Sequence, residues 1–420
     1  MKLSFVRRIE KSEERQYLEI PFEVPAGVAR IDIKYDYVRF RGAKEVTVID
    51  VALCAPTGYG GASGSNRKHI YVGKADSARG YSMTETCAGT WYIIAGAYHV
   101  EAGGTDVSYE IEFTMKQRVL LRGELHCHST ASDGNQTTLE LMQDAKRMGL
   151  DFLCISDHNA YSQNDEMAAP PIGLTMIPGM ELTHYDGHVN LMGVTRPIAC
   201  PFPINGRDMM MATLKEAKAN GAHISPNHPL DFDCPWLFGM DVDMDSVEVW
   251  NGGIPIEANL LALNWWHDEL CKGRKLAIRG GSDFHNTDAL RTLGSPATWV
   301  YADSREPGDI LKAIAAGSGF ITITHRGPTM DLSAGDCSFG DTIKSGELVK
   351  ASFYNLAADD VVKIITDRAV EALPITEPMV QFDLERCTAG IRFMRFEVWK
   401  RKIESLSGFP WLISNAIYIE

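Results

Sequence analysis

The 420-residue sequence contains no CxxC motif, no run of basic residues and no stretch of 18 apolar residues. Its nine cysteines are scattered and odd in number, which is typical of reduced thiols. The formal net charge of −14, without a basic stripe, argues against general nucleic-acid binding, although a metal site could still bind a phosphate. Because the segment MKLSFVRRIEK lacks the apolar core of a signal peptide, we expect a cytoplasmic protein without a membrane span.

The hydrophobic pattern divides the chain into three segments. In residues 1–117 and 328–420, apolar and polar side chains alternate with the period of two that half-buried β-strands require. In residues 118–327, short apolar strands alternate with amphipathic helices, and Thr137 to Glu140 have the form of a capping box. We predict an N-terminal β-sandwich-like domain, a middle α/β domain whose parallel sheet is open or closed as a barrel, and a C-terminal β domain.

The stretch GELHCHSTASDG, residues 123–134, places two histidines two positions apart. Side chains at i and i+2 of a strand point to the same face, so His126 and His128 would point at one spot, with Asp133 in the loop that follows. Cys127 would point the opposite way, into the core. Imidazole nitrogens and carboxylate oxygens are the usual ligands of zinc, iron and manganese, so the stretch indicates a metal site.

Further histidines and carboxylates follow other apolar strands of the middle segment. The carboxyl ends of strands in αβ barrels converge on one cleft, so residues far apart in sequence would share one mouth. His223 and His267 lie inside a strand and a helix, and we interpret them as structural. The candidates at strand ends are Asp157, His158, Glu181, His184, His188, His228, Asp283 and His285.

Together these motifs resemble the PHP (polymerase and histidinol phosphatase) superfamily. The matching motifs are HCHS at 126–129, SDH at 156–158, Glu181, HVNLMG at 188–193, NHP at 227–229 and SDFH at 282–285. A looser likeness to the CehA/McbA-like branch is carried by EVWNGG at 248–253, GPTMDLSAGD at 327–336 and the terminal SNAIYIE. The resemblance implies a distorted (β/α)7 TIM-like barrel between the two β segments, and two or three divalent ions of zinc, manganese or iron.

The resemblance also implies how the ligands are shared. The first ion would be held by His126, His128, Glu181 and Asp283, the second by Asp133, His158 and His285, and the third by Glu181, His188 and His228. We prefer His188 to His184 because His188 opens an apolar strand, as in the family motif. The catalytic carboxylates would be Asp133, Glu181 and Asp283.

Three other polar residues have less certain roles by sequence. Asp157 would orient a neighbouring ligand or cap the end of its strand. Asn251 and Arg279 are candidates for substrate contact, with a structural role as the alternative for each.

The leading functional prediction is a phosphoesterase that uses a metal-bound hydroxide. Three divalent ions carry more positive charge than the three carboxylates neutralise. The pocket would therefore be positively charged, which favours a small anionic ester such as a phosphomonoester or phosphodiester. With two ions the remaining charge also suits a carbamate, a carboxylic ester or an amide, and the branch resemblance favours that alternative. A binding module without catalysis is a third interpretation, against which the intact ligand set argues. The oligomeric state does not follow from the sequence.

Overall fold

The structure is a computed structural model that describes residues 1–41, 45–65, 67–74, 76–116, 118–167, 169–200, 203–286, 292–400 and 408–420. It divides into two compact units, Met1–Gln117 and Arg118–Glu420. Among the helices of these described ranges, none is both long enough and apolar enough to cross a membrane.

The first unit is a sandwich of two antiparallel sheets. Its strands are β1 (Lys2–Ile9), β2 (Tyr17–Val24), β3 (Val28–Asp36), β4 (Phe40–Arg41), β5 (Glu45–Val46), β6 (Val48–Ala55), β7 (Gly58–Ser63), β8 (His69–Gly73), β9 (Gly89–His99) and β10 (Thr105–Met115). One sheet has the order β1-β10-β3-β8 and the other the order β2-β9-β6-β7. Alternate side chains, such as Ile31 and Ile33 on β3 and Val51 and Leu53 on β6, enter one shared apolar core.

The second unit combines helices with several sheets. Its helices are α1 (Thr138–Arg147), α2 (Arg207–Ala219), α3 (Ile256–Cys271) and α4 (Pro307–Ala315). Its strands up to residue 327 are β11 (Val119–Glu124), β12 (Phe152–Cys154), β13 (Thr175–Ile177), β14 (Gly179–His184), β15 (Gly187–Met192), β16 (His223–Pro226), β17 (Val247–Asn251), β18 (Ile278–Gly281), β19 (Ala297–Ala302) and β20 (Gly319–Thr322). The mixed α/β class predicted for this segment is confirmed.

Helix α1 begins at the predicted capping box. The Thr137 hydroxyl accepts a hydrogen bond from the Glu140 amide, and the Glu140 carboxylate accepts one from the Thr137 amide at 2.8 Å. Two backbone donors that would lack partners inside the helix are thereby satisfied. This cap fixes where the chain leaves the loop that carries Asp133 and enters the helix.

The C-terminal segment continues the same unit. Its strands are β21 (Thr329–Ser333), β22 (Thr342–Ile343), β23 (Leu348–Leu356), β24 (Asp360–Thr366), β25 (Val370–Pro374), β26 (Met379–Cys387), β27 (Phe393–Lys400), β28 (Pro410–Ser414) and β29 (Ile417–Ile419). A single sheet runs in the order β13-β12-β11-β19-β20-β28-β27-β24-β25 and so joins strands from both sides of residue 327. The predicted boundary at 327/328 therefore lies inside one compact unit, and the division into three domains stays a prediction.

The strands that follow β13 depart from the expected succession of parallel βα units. Strands β14, β15 and β16 form an antiparallel sheet, whereas β11-β12-β13 and β17-β18 are parallel. The physical reason is the connection between β14 and β15. Only Tyr185 and Asp186 separate the paired residues His184 and Gly187, and two residues can close a hairpin but cannot carry a helical crossover.

We expect the whole of Arg118–Glu420 to unfold cooperatively, and Phe396→Ala tests this. The Phe396 ring is fully buried and packs edge-on against Phe353 at 5.8 Å, so its loss should lower the free energy of unfolding by about 3–5 kcal/mol. Hydrogen exchange resolved by peptide should then show α1 to α4 losing protection together with β23 to β28. Val380→Ala, at an 82% exposed position of β26, is the control and should leave protection unchanged. Loss of protection confined to residues 328–420 would contradict a single unit.

Candidate metal centre

All nine predicted metal ligands lie together at the ends of the middle strands. Strand β11 leads into His126 and His128, and β12 leads into His158. Strands β14 and β15 carry Glu181 and His188 themselves. The set is completed by residues that follow β11, β16 and β18, namely Asp133, His228, Asp283 and His285.

The Glu181 carboxylate is the fully buried centre of this arrangement. Its oxygens lie near five histidines: 2.7 Å from His158 Nδ1, 3.2 Å from His126 Nε2, 3.3 Å from His188 Nδ1, 3.6 Å from His128 Nε2 and 3.8 Å from His228 Nε2. Burial raises the pKa of this carboxyl, but the neighbouring imidazoles outweigh burial and hold its pKa well below the usual range.

Asp283 supplies a second carboxylate from the opposite side. Its Oδ1 lies 3.1 Å from His128 Nε2 and 3.3 Å from His126 Nε2. The backbone of Asp283 is left-handed at φ 52°, and that of His228 is left-handed at φ 27°. Such strained conformations persist where surrounding contacts impose them, and here the Asp283 amide donates to the His126 carbonyl at 2.8 Å.

Asp133 lies at the exposed edge of the centre. Its carboxylate is 3.3 Å from His285 Nε2 and 3.6 Å from His158 Nε2, and its side chain is 58% exposed. The loop that carries it is held by buried Asp157, which accepts hydrogen bonds from the Ser129 amide at 2.7 Å and the Ser132 hydroxyl at 2.6 Å. Asp157 thus positions the Asp133 loop through two serines, and it makes no direct hydrogen bond to a histidine ring among the described contacts.

In three of the histidines, Nδ1 is hydrogen-bonded to a protein acceptor, which leaves Nε2 as the nitrogen available to the centre. His126 Nδ1 donates to Glu248 at 3.0 Å, and His228 Nδ1 donates to the Cys234 carbonyl at 3.3 Å. His285 Nδ1 donates to the Asp283 carbonyl at 2.9 Å. A hydrogen bond from one ring nitrogen sets the tautomer in which the other nitrogen carries a lone pair, and metal-binding histidines are held in this way.

The donor atoms fit divalent metal ions. Within the described residues, the buried atoms His126 Nε2, His128 Nδ1 and Glu181 Oε2 make no hydrogen bond of good geometry, although His158 Nδ1 lies 2.7 Å from Glu181 and buried polar atoms are nearly always satisfied. Four sets of ligand atoms each lie within 4.8 Å of one another: His128, Asp133, His158 and His285; His126, His128 and Asp283; His126, Glu181 and His228; and His158, Glu181 and His188. Imidazole nitrogen with carboxylate oxygen is the chemistry that zinc, manganese and iron accept.

The first set contains the three ligands predicted for the second ion together with His128, and the second set contains those predicted for the first ion without Glu181. The predicted third set is divided, because His228 groups with His126 and His188 groups with His158, each around Glu181. His188 and His228 are still neighbours, with ring centroids 5.0 Å apart. His184 belongs to none of these sets: its Nε2 donates to the Ile204 carbonyl at 3.0 Å, and its Nδ1 accepts from the Asp186 amide at 3.0 Å.

The two predicted substrate contacts, Arg279 and Asn251, are buried beside the centre. Arg279 is fully buried and donates to Glu248 at 2.6 Å and to the Ser225 hydroxyl at 2.7 Å. Asn251 is 1% exposed and donates to Glu248 at 2.9 Å. These hydrogen bonds to protein partners favour the structural alternative, support of Glu248, and a contact of either residue with substrate stays a prediction.

Glu248 and Asn227 are the functional residues that sequence reasoning missed. Glu248 joins His126, the His228 amide and Arg279, and its pKa, which burial raises, is brought down to about 2 chiefly by Arg279 and His126. Asn227 accepts a hydrogen bond from Arg279 and donates to Glu181 at 2.5 Å. A signal existed for Glu248, which interrupts the apolar run of β17 with a charge in the sequence VEVWN.

A pocket of about 540 Å³ opens beside the centre. Its inner wall includes His188, together with Thr183, whose hydroxyl is 2.6 Å from His158 Nδ1. The outer walls come from the β14–β15 turn and two loops, through His184, Tyr185, Pro203, Ile204, Asn205, Asp233 and Cys234. A molecule held at the metal ligands would therefore have room to extend in this direction.

Comparison with known proteins agrees with this site. Residues 124–263 match the family model of the PHP domain, and seven of the nine ligands fall within that range. The predicted resemblance to the PHP superfamily is confirmed over these residues, which are a third of the chain. Its placement in the CehA/McbA-like branch stays a prediction.

Two curated proteins are similar over short stretches. A 5′-3′ exoribonuclease of Haemophilus influenzae is 37% identical over 75 residues, which are 17% of this chain and 27% of the relative. The 5′-3′ exoribonuclease Rnm of Escherichia coli is 33% identical over 89 residues, 19% of this chain and 30% of the relative. The chain thus spans less than a third of the length of either relative.

Two solved structures are similar at a greater distance. A two-domain protein of Bacteroides vulgatus, described as containing a PHP-like metal-dependent phosphoesterase, aligns with a TM-score of 0.41 and 18% identity over 71% of this chain and 95% of that one. A protein of Bifidobacterium adolescentis, described as a putative metal-dependent phosphoesterase, aligns with a TM-score of 0.30 and 20% identity. The alignment covers 41% of this chain and 90% of that one. At these TM-scores the likeness carries no argument of its own.

Glu248→Gln should weaken metal binding without touching a ligand. A glutamine offers one acceptor oxygen for which the His126 ring and Arg279 compete, so the ring loses its anchor and metal affinity should fall about 10- to 100-fold. Arg279 also loses its carboxylate partner, which should lower the free energy of unfolding by about 3–5 kcal/mol. Metal content by elemental analysis and affinity by competition with a chelator measure the first effect, and circular dichroism checks folding.

Glu257→Gln, at an exposed position of α3, is the matched control for Glu248→Gln and should keep full metal content. A folded Glu248→Gln protein with unchanged metal affinity would show that the hydrogen bond behind His126 does not matter for binding.

Proposed function

We propose that the protein is a metal-dependent phosphoesterase acting on a phosphomonoester or phosphodiester of a small molecule. The observation that carries the proposal is the convergence of six histidines and three carboxylates on one centre around buried Glu181, where several buried ligand atoms make no hydrogen bond of good geometry. No purely structural role accounts for so many ionisable groups at one place, because each buried polar atom without a partner destabilises the fold.

We propose that the centre holds two or three divalent ions. The residues that would hold them are those of the four sets given above, with Glu181 shared and Asp133 completing the most exposed set. When bound, such ions lower the pKa of water to give a nucleophile at neutral pH and draw charge from a phosphoryl oxygen. The chain's own contribution is to hold the imidazole rings in one tautomer through Glu248 and the carbonyls of Cys234 and Asp283.

The charge of the centre supports a phosphate substrate. Three divalent ions against Asp133, Glu181 and Asp283 would leave a net charge of about +3, and two ions would leave about +1. Glu248 does not change this balance, because buried Arg279 neutralises it at 2.6 Å. A positive centre in a chain of net charge −14 attracts an anion locally without giving the whole surface affinity for polyanions.

We propose that β11, β12 and β14 to β18 form the distorted barrel that the family resemblance implies. Two isolated parallel bridges support this: His158 with Glu181 joins the end of β12 to β14, and Cys127 with Phe284 joins the end of β11 to the end of β18. With the pairs β14-β15-β16 and β17-β18, these bridges lead most of the way around a ring.

A carbamate, carboxylic ester or amide hydrolase is the second candidate. The specific observation in its favour is the pocket beside His188, whose described lining contains no lysine or arginine and so suits a neutral substrate as well. The names of the exoribonuclease relatives raise RNA as a third substrate class. RNA binding normally relies on cationic contacts along the phosphates, and the acidic balance of this chain is against them.

Asp283→Asn tests the proposal directly. Asparagine tolerates the left-handed backbone at this position, so the fold should remain while one carboxylate of the centre is lost. The wild-type protein, loaded in turn with zinc, manganese and iron, should hydrolyse 4-nitrophenyl phosphate or bis(4-nitrophenyl) phosphate, and Asp283→Asn should lose at least about 100-fold in kcat. Asp336→Asn, at an exposed turn position, should match the wild type. Turnover of neither phosphate by any loaded form would refute the proposal.

Asp133→Ala separates the two enzyme candidates. Asp133 completes the exposed set with His158 and His285, so its loss should remove that ion and its positive charge. Hydrolysis of 4-nitrophenyl phosphate, a dianion, should fall by about 100-fold or more, whereas hydrolysis of 1-naphthyl N-methylcarbamate needs one activated water and should fall far less. Inorganic phosphate should inhibit the wild type competitively. Equal losses on both substrates, or no inhibition by phosphate, would favour the carbamate hydrolase.

A further inference from the structure

We propose that the pocket beside His188 binds the leaving group of the ester and selects an apolar ring that ends in a cation or a hydrogen-bond donor. Asp233 is the specificity-determining residue in this proposal. The inference rests on the proposed phosphoesterase activity and adds the substrate class to it. In the reaction, water forms a new bond to phosphorus, the bond from phosphorus to the ester oxygen breaks, and the leaving group departs as an alcohol or phenol that takes one proton of the water.

The position of the pocket ties it to the leaving group. His188 and Thr183 form its inner wall, and both contact the centre: His188 Nδ1 lies 3.3 Å from Glu181, and the Thr183 hydroxyl lies 2.6 Å from His158 Nδ1. A substrate whose phosphoryl group lies among the ligands has this space next to it. A volume of about 540 Å³ accommodates a ring with a substituent, within the usual range for small-molecule sites.

The wall of the pocket is held rigidly and presents an exposed aromatic ring. Tyr185 stands at the turn between β14 and β15 and is fully exposed. The turn is fixed from both sides, because His184 bonds the Ile204 carbonyl and the Asp186 carbonyl accepts from the Leu237 amide at 2.8 Å. A Cβ on Gly187 would come within 2.8 Å of the Trp236 Cα, so this close approach requires glycine. An aromatic ring carried by a fixed turn beside a pocket favours a flat ligand that stacks on it.

The charge of the pocket lining determines which substituent the leaving group can carry at the end away from the phosphate. Among the lining residues that the structure describes, Asp233 is the one acidic side chain, and none is lysine or arginine. Asp233, Asn205 and Tyr185 are the exposed polar side chains among these lining residues. A second phosphate or a carboxylate in the pocket would meet a like charge without any cation to compensate, whereas an ammonium group or N–H donor would meet an acceptor.

The test compares three para-substituted phenyl phosphates with the metal-loaded enzyme: the cationic 4-(aminomethyl)phenyl, the neutral 4-methylphenyl and the anionic 4-carboxyphenyl ester. The quantity measured is the ratio of kcat/KM for the cationic ester to that for the anionic ester. Differences in intrinsic reactivity between the esters cancel when this ratio is compared between the wild type and a variant. We expect Asp233→Asn to lower the ratio about two- to fivefold through KM, the effect of losing one exposed ion pair.

Two further variants define the interpretation. Asp336→Asn removes a carboxylate outside the pocket and should leave the ratio unchanged, and Tyr185→Ala should raise KM for all three esters by a similar factor. An unchanged ratio in Asp233→Asn overturns the assignment of Asp233, and a higher kcat/KM for an RNA tetranucleotide than for the cationic ester overturns the proposed substrate class. Turnover of none of the three esters is a different result, which overturns the phosphoesterase activity itself.

Discussion

The charge of buried Glu181 is the constraint on which the rest of the second unit depends. A carboxylate without exposure to water is tolerated only beside partners that stabilise its charge, and here five imidazoles lie within 3.8 Å of its oxygens. These rings come from the ends of β11, β12, β15 and β16, so those strand ends must converge for Glu181 to be charged at all. The position of Glu181 therefore depends on the convergence of these strand ends.

The backbone shows the same dependence. The two isolated bridges that bring strand ends together involve the ligands or their immediate neighbours: His158 pairs with Glu181, and Cys127, between two ligands, pairs with Phe284, between two others. The left-handed backbone at Asp283 and His228 lies in the same region. Strain of this kind destabilises a fold and persists only where the surrounding contacts outweigh it, which is the usual situation at functional sites.

The sequence predicted that the nine candidate side chains would converge because most of them follow a short apolar strand, a pattern that places polar groups at one end of a sheet. It predicted the start of α1 for a similar reason, since a capping box is a local signal. The β14–β15 hairpin was missed, because a strand buried on both faces shows the same apolar run whether its neighbour is parallel or antiparallel. The charge within the apolar run of β17 indicated that Glu248 is unusual, but its partner Arg279 lies 31 residues further along the chain, and no local pattern reports such a pairing.

The buried pair of Arg279 and Glu248 also indicates how the centre and the pocket divide their tasks. Apolar side chains of similar size would often stabilise a core as well as a buried ion pair does, so the value of this pair lies in orientation: it fixes His126 through Glu248 and Glu181 through Asn227.

The pocket is different, because its outer walls come from the turn at Tyr185 and from loops at 203–205 and 233–234, which carry no ligand. Changes in those loops can alter which leaving group fits while the hydrogen bonds that hold the histidines stay in place. The residues proposed to bind metal thus lie at strand ends, whereas the residues proposed to select the substrate lie on loops.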